Sequence, residues 1–159
     1  MNETEYSKYW ADIGTSVINE FAEGKFKPII ELGVGIGYVV SKESPAVNGI
    51  PKMAECIAVK KDHQKQFMPH DYLIKIYEPN VAYMTDEQKR ILMEHELMHI
   101  HAYENKDGEL TIGTTAHDVN DFRDIVEKYG YDWSKDVHQQ MTLDDLADDE
   151  EEEPAEESA

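Results

Sequence analysis

The sequence contains 159 residues, of which 34 are acidic and 15 are basic, and its net charge is −19. A chain of this length can bury the core of one ordinary domain. It has no apolar run near the ~18 residues that a membrane span requires, and no basic stripe that could bind a phosphate backbone. We therefore expect neither a membrane span nor direct nucleic-acid binding.

The acidic residues are concentrated at one end of the chain. Residues 144–159 hold 10 of the 34 acidic residues and no lysine or arginine. Such a segment has too little apolar surface to fold, so we expect a disordered acidic tail after a folded domain at residues 1–143. The tail is interpreted as a solubilising segment or as a decoy for a basic surface on a partner.

The N-terminal residues and the cysteine content indicate a cytoplasmic protein. Residues 1–5 include two glutamates and lack the basic and apolar regions of a signal peptide. Cys56 is the only cysteine, so an internal disulfide cannot form. A lone cysteine is most often a small buried apolar side chain. We therefore expect the protein to reside in the cytoplasm.

The first predicted element is a helix that ends near Gly24. Its apolar side chains recur at spacings of four, three, four and four residues, which places them on one face. They are Tyr6, Trp10, Ile13, Val17 and Phe21. Such a stripe is typical of a helix that packs against a core.

Strands are predicted after this helix. Residues 29–40 carry glycines at G-x-G-x-G spacing, which departs from the G-x-G-x-x-G pattern of dinucleotide-binding folds and favours a glycine-bearing strand or bulge. Proline, asparagine and glycine predict a loop at residues 41–52. Runs of apolar, β-branched and aromatic residues predict strands at 54–59 and 72–77. Together with the helices that follow, this order predicts an α+β fold.

The next helix carries the most informative motif. Thr85-Asp86-Glu87-Gln88 is a capping box with acidic residues in the first turn. Apolar residues then recur with helical spacing and no proline or glycine occurs before Gly108, so we predict a helix at about residues 85–104. The segment His95-Glu96-Leu97-Met98-His99 in its last turns matches H-E-x-x-H, the zinc-binding signature of metallopeptidases.

The spacing of this motif suits a catalytic metal ion. Residues four apart on a helix lie ~40° apart, so His95 and His99 can bind one ion together. Glu96 points ~100° away, where it can act as a general base on water. The competing interpretation is a half-buried polar patch on an amphipathic helix, which needs neither the two histidines nor the glutamate at these spacings.

A catalytic zinc ion usually has three protein ligands and an open fourth position. The last helix is predicted at residues 118–129, and His117, just ahead of it, can point back toward the motif. Asp118 or Asp121 is the alternative third ligand, or else orients a ligand through a hydrogen bond. A further alternative is that this region supplies no third ligand. His101 lies ~200° from His99 around the predicted motif helix and is expected to face away.

These blocks resemble the putative phage metallopeptidase family. Its members share an H-E-L-x-H-I helix and then an H-D-[VI]-x-D-F stretch that leads into Y-G-x-D-W. The chain has matching residues at 95–100, 117–122 and 129–133, and the resemblance spans residues ~54–133. It implies a small zincin-like fold, a zinc ion and a phage or prophage origin.

The leading hypothesis is therefore a zinc metallopeptidase that hydrolyses peptide bonds. His95, His99 and His117 would bind Zn²⁺, and Glu96 would take a proton from the attacking water and deliver it to the leaving amine. The substrate would be a protein or peptide, including a host protein. It could lie along the strand at 72–77, if that strand is a sheet edge.

The alternative hypothesis is a non-catalytic acidic binding protein on a zincin scaffold. With a net charge of −19, such a protein could mimic DNA and act as a decoy for a defence protein. The presence of Glu96 favours the enzyme, because a purely structural zinc ion needs no general base.

Overall fold

A computed structural model of the chain describes residues 4–59, 69–116, 122–130 and 132–134. These residues form the α+β fold that the sequence predicted. The strands are β1 (Thr4–Tyr6), β2 (Ile36–Ser41), β3 (Ala46–Val47), β4 (Ile50–Pro51), β5 (Ala54–Ala58), β6 (Tyr72–Tyr77), β7 (Ile100–Glu104) and β8 (Leu110–Thr114). The helices are α1 (Lys8–Glu20), α2 (Lys27–Glu31), α3 (Glu78–Val81), α4 (Asp86–Leu97) and α5 (Arg123–Tyr129).

The main sheet has four strands in the order β1-β2-β6-β5. Strands β2 and β6 are parallel, whereas β1 and β5 pair antiparallel with their neighbours. Alternate side chains face the helices, so Tyr38 and Val40 of β2 share one core cluster with Ile74 and Ile76 of β6. The strand predicted at 72–77 is confirmed as β6, but its suggested place at a sheet edge is wrong because β2 and β5 pair with both of its sides.

Helices α1 and α4 pack against each other and against this face of the sheet. At the start of α1, the Trp10 amide donates a hydrogen bond to Ser7 Oγ at 3.2 Å. Glycine is needed at position 14, because a Cβ on Gly14 would overlap the ring of Tyr38 in β2. The predicted first helix is confirmed, except that Tyr6 is exposed and belongs to β1, and that the helix ends at Glu20 and not near Gly24.

Helix α4 ends earlier than the sequence predicted. Its last residue is Leu97, and residues 100–104, predicted to be helical, form strand β7. This strand pairs with β8 across a turn in which Gly108 has a φ of 77°. The pairing with β8 satisfies the backbone groups of β7, and this contact between separate segments outweighs the local helical pattern.

Two other predicted boundaries differ from the structure. Residues 29–31, predicted to begin a glycine-bearing strand, belong to α2, and β2 begins only at Ile36. Residues 41–52, predicted to be a loop, contain the hairpin of β3 and β4. Asn48 and Gly49 at its tip have φ values of 54° and 78°, the conformation of a two-residue type I′ turn.

The last helix, α5, begins at Arg123 and not at residue 118, because Phe122 ahead of it has an extended backbone. Gly130, with a φ of 83°, follows its end, so the predicted glycine stop is confirmed. Residues 118–121 and the acidic segment 144–159 lie outside the described residues. Within the described ranges, no helix is long and apolar enough to cross a membrane.

Candidate metal centre

The H-E-x-x-H motif lies at the C-terminal end of α4. The predicted capping box fixes the start of this helix. The main-chain N–H of Gln88 donates to Thr85 Oγ1 at 3.2 Å, and the main-chain N–H of Thr85 donates to Gln88 Oε1 at 2.9 Å. His95 lies in the last turn, and His99 follows two residues after Leu97. The helix therefore holds His95, while the chain beyond it determines the position of His99.

His95, Glu96 and His99 form a compact group of possible metal ligands. The two imidazole centroids lie 5.3 Å apart, and Glu96 Oε2 lies 3.9 Å from His95 Nε2. One ligand atom from each of the three residues lies within 4.8 Å of the others. Atoms bound to one zinc ion lie within ~4 Å of one another, so the two imidazoles are close to the spacing that a shared ion requires, with the Glu96 carboxylate beside them.

Glu96 is buried beside the terminal strand of the sheet, with 5% of its surface exposed. Burial raises the pKa of the Cys56 thiol on β5, and the charge of Glu96 raises it further. The pKa of Lys52, just before β5, is raised mainly by a hydrogen bond to Glu55 and also by Glu96. The carboxylate of Glu96 therefore lies close to β5 and to the residues that precede it.

The imidazole of His99 is oriented by the main chain of Thr115. His99 Nδ1 donates a hydrogen bond to the carbonyl oxygen of Thr115 at 2.6 Å. In that tautomer Nε2 carries no proton, and its free lone pair can bind a metal ion. Hydrogen bonding of one ring nitrogen to a backbone carbonyl is the usual arrangement for a histidine that binds metal.

Two aromatic side chains pack against the two histidines. The ring of Phe122 lies 5.4 Å from that of His95 and 4.9 Å from that of His99, both edge to face. Trp133, from the Y-G-x-D-W block, lies 5.9 Å from His95. Both aromatic residues are buried. Apolar walls of this kind exclude water and strengthen electrostatic interactions within a site.

Tyr72 attaches the hairpin of β7 and β8 to the main sheet. Its hydroxyl lies 2.7 Å from the carbonyl oxygen of Gly113 and 3.0 Å from that of His101, and it accepts the Gly113 amide at 3.1 Å. Tyr72 is fully buried. Because the hairpin leads directly into Thr115, Tyr72 helps to place the carbonyl group that orients His99.

Glu94, next to His95, holds α5 against α4. Its carboxylate is 2% exposed, forms an ion pair with Lys25, and accepts hydrogen bonds from Tyr129 Oη at 2.8 Å and Lys128 Nζ at 3.4 Å. Burial raises the pKa of Tyr129 to about 12, and the hydrogen bond to Glu94 adds to this effect. Sequence analysis did not identify Glu94, although it lies three residues from both Ile91 and Leu97 on the buried face.

The candidates for the third ligand, His117, Asp118 and Asp121, lie outside the described residues. The described residues on both sides of this segment lie at the site. Thr115 bonds to His99, and Phe122 packs against its ring. The described residues on either side of this segment therefore both contact the motif.

The other histidines in the described part of the chain pack against tyrosines. His101, which was predicted to face away on the motif helix, lies instead on β7, and its ring packs against Tyr103 at 5.2 Å. The ring of His70 lies 5.6 Å from that of Tyr6. His63 and His138 are outside the described residues.

Two histidines and a buried glutamate, gathered at one helix end of a small α+β fold, define a candidate metalloenzyme centre. Residues 3–142 match the sequence profile of the family described as "Putative phage metallopeptidase", and the chain belongs to that family. Comparisons with curated proteins and with solved structures gave no significant match. The family resemblance is therefore confirmed, and membership implies a metal ion and a protein or peptide substrate.

Proposed function

We propose that this protein is a zinc-dependent peptidase of phage or prophage type that acts on a protein or peptide in the host cytoplasm. The observation that carries the proposal is the placement of His95, Glu96 and His99 within 4.8 Å of one another, in a chain that belongs to a metallopeptidase family. In this proposal His95, His99 and His117 hold the metal ion, and Glu96 is the catalytic residue.

The donor set supports zinc in particular. Imidazole nitrogen is a preferred zinc ligand, and the hydrogen bond from His99 to Thr115 prepares His99 Nε2 to bind. In the sequence, His117 is two residues beyond Thr115, which contacts the motif. Asp118 and Asp121 remain the alternative third ligands. Three protein ligands would leave one position for water or substrate.

Glu96 supplies the proton transfer in this mechanism. A zinc ion, when bound, polarises the substrate carbonyl and lowers the pKa of water toward ~7. Glu96 accepts a proton from water as the oxygen forms a bond to the carbonyl carbon. It then donates this proton to the amide nitrogen as the carbon–nitrogen bond breaks, which restores its carboxylate.

We place the substrate along β5 and not along β6. Strand β6 is paired on both sides, whereas β5 is the terminal strand of the sheet and packs against α4 beside Glu96. An extended peptide that runs along this strand would present its main chain to the motif.

A peptide-library digestion tests the proposal. The zinc-loaded protein is incubated with a complex peptide mixture, and new termini are identified by mass spectrometry. We expect cleavage products that disappear after chelation and return when zinc is added back. Absence of cleavage by fully zinc-loaded protein would contradict the proposed function.

A further inference from the structure

The side chain of Gln88 forms hydrogen bonds with two separate parts of the chain. Its Oε1 accepts the main-chain N–H of Thr85 at 2.9 Å, and its Nε2 donates to the carbonyl oxygen of Trp133 at 3.0 Å. The first bond belongs to the capping box at the start of α4, and the second reaches a residue 45 positions later. Gln88 is 8% exposed, so both bonds are shielded from water.

The bond from Gln88 to Trp133 is separable from the capping of α4. A capping box accepts either glutamate or glutamine at this position. Only glutamine serves both partners of Gln88, because its amide has a carbonyl oxygen that accepts and an NH2 group that donates. An ionised glutamate has two acceptor oxygens, so it would still accept from Thr85 but would repel the carbonyl oxygen of Trp133.

A second side chain holds the residue that follows Trp133. Tyr83, two residues before Thr85, donates a hydrogen bond from its hydroxyl to the carbonyl oxygen of Ser134. Both bonds go to main-chain carbonyl groups, so residues 133 and 134 are fastened at the start of α4 without using the side chain of Trp133. That side chain packs toward the other end of the helix.

The ring of Trp133 lies against His95 in the last turn of α4. Gln88 and His95 are seven residues apart, which puts them on the same face of the helix and ~10 Å apart along its axis. The Trp133 ring centroid lies 5.9 Å from that of His95, within the range of aromatic pairs, and the ring is buried. Trp133 therefore spans this face, with its main chain bonded near the first turn and its ring at the motif.

We infer that Gln88 is a positioning residue for the metal site, which holds Trp133 against His95 so that the His95 imidazole is already placed when a metal ion arrives. The inference rests on the proposed function, because it requires His95 to be a metal ligand. A ligand that is ordered beforehand loses less conformational entropy on binding, so the metal ion binds more tightly. Gln88 acts through Trp133 and does not itself contact the ion.

Zinc affinity, measured by competition with a chelator, tests the inference. Gln88→Glu keeps the acceptor for Thr85 but loses the donor to Trp133, and Trp133→Leu removes the ring. Each should weaken zinc binding about three- to tenfold, the cost of a side chain that must be ordered on binding. The double variant should bind zinc no more weakly than the weaker of the two single variants, because both substitutions remove the same contact.

Thr85→Ala is the matched control. It removes the oxygen that accepts the main-chain N–H of Gln88, so it should lower the melting temperature. It leaves both side-chain bonds of Gln88 in place, so zinc affinity should stay at the wild-type value. Circular dichroism checks the fold of each variant. If Gln88→Glu or Trp133→Leu does not fold, Tyr83→Phe replaces it, since loss of the bond to Ser134 should weaken zinc binding in the same direction.

Tryptophan emission of the metal-free protein is a second measurement. In Gln88→Glu the emission should shift to longer wavelength, because Trp133 leaves its buried place beside His95. The other tryptophan, Trp10, lies in the core of α1 and the sheet and should contribute equally in every variant. Thr85→Ala should keep the wild-type emission.

Each other outcome has a distinct meaning. If the wild type binds zinc and the Gln88 and Trp133 variants bind it equally well, the inference is wrong and the proposed function stands. If the two losses multiply in the double variant, Gln88 does not act through Trp133, which overturns the inference. If Thr85→Ala weakens zinc binding as much, the effect follows from the lost stability of α4 and the inference is again wrong. If the wild type binds no zinc, the inference and the proposed function are both wrong.

Discussion

His99 and Thr115 are joined by two hydrogen bonds that run in opposite directions. The Thr115 amide donates to the carbonyl oxygen of His99 at 2.7 Å, and His99 Nδ1 donates to the carbonyl oxygen of Thr115 at 2.6 Å. The first bond extends the ladder of β7 and β8, and the second orients a candidate metal ligand. The hairpin and the metal site are therefore parts of one hydrogen-bonded unit.

Protein purified without chelator should carry close to one zinc ion per chain. His117→Ala should weaken zinc binding, because it leaves only two histidine ligands. The loss should exceed the ~10–100-fold that is typical when a hydrogen-bond partner of a metal ligand is removed. Metal content and competition with a chelator measure both quantities. His101→Ala is the control, since His101 is an exposed residue of β7 and should not affect zinc. Unchanged zinc affinity in His117→Ala would assign the third ligand to Asp118, to Asp121 or to a residue elsewhere in the chain.

Glu96→Gln should abolish most turnover while zinc content and stability remain. Glutamine keeps the shape of the side chain but cannot accept the proton, so the rate should fall by ~10²-fold or more. The rates are compared at equal zinc occupancy. Glu104→Gln, at an exposed position of β7, is the matched control and should keep wild-type activity. Full biological activity in zinc-loaded Glu96→Gln would instead favour a non-catalytic binding protein.

Tyr129→Phe should destabilise the protein at neutral pH and less so at alkaline pH. It removes the hydrogen bond to Glu94, which should cost about 1 kcal/mol at pH 8. The pKa of Tyr129 is raised from 10.0 to about 12 on folding. A raised pKa contributes stability that is present below pH 10 and is lost as pH rises through about 12.

The difference in unfolding free energy between wild type and Tyr129→Phe should therefore shrink between pH 10 and 12. Denaturant unfolding at several pH values measures it. Tyr103→Phe, at an exposed tyrosine of β7, should show no comparable pH dependence. A difference that stays constant up to pH 12 would show that Tyr129 does not stabilise the fold through Glu94.

Removal of residues 144–159 should leave the melting temperature nearly unchanged. The segment has too little apolar surface to offset the entropy of ordering it. Calorimetry on the full chain and on the chain ending at residue 143 tests this. A melting temperature lowered by many degrees would show that the acidic segment packs on the domain.

Local sequence predicted the features that depend on local interactions. The capping box at Thr85 and the main-chain hydrogen bonds of the first helix join residues close in the chain, and strand β6 is marked by the composition of its own residues. The structure confirms all three. The approach of His95 to His99 also follows from their spacing of four residues, although His99 lies beyond the last helical residue.

The supports of the site come from distant parts of the chain and have no local signature. Tyr72 bonds to a carbonyl 41 residues away at Gly113, and Glu94 pairs with Lys25 across 69 residues. The end of α4 at Leu97 depends in the same way on the pairing of β7 with β8. Hydrophobic periodicity does not detect such contacts. The helix predicted from it therefore included residues 100–104, which form a strand.

The hairpin that follows the motif also offers a place for insertions. The chain leaves the site at His99, turns at residues 105–109, and returns to the site at Thr115 through paired strands. A peptide tag inserted at the Gly108 turn would lengthen the tip while the ladder kept His99 and Thr115 in register. Loop insertions at such tips cost little because closure entropy grows slowly with length. A fluorophore placed there would lie at the turn of the hairpin that carries the carbonyl group bonded to His99.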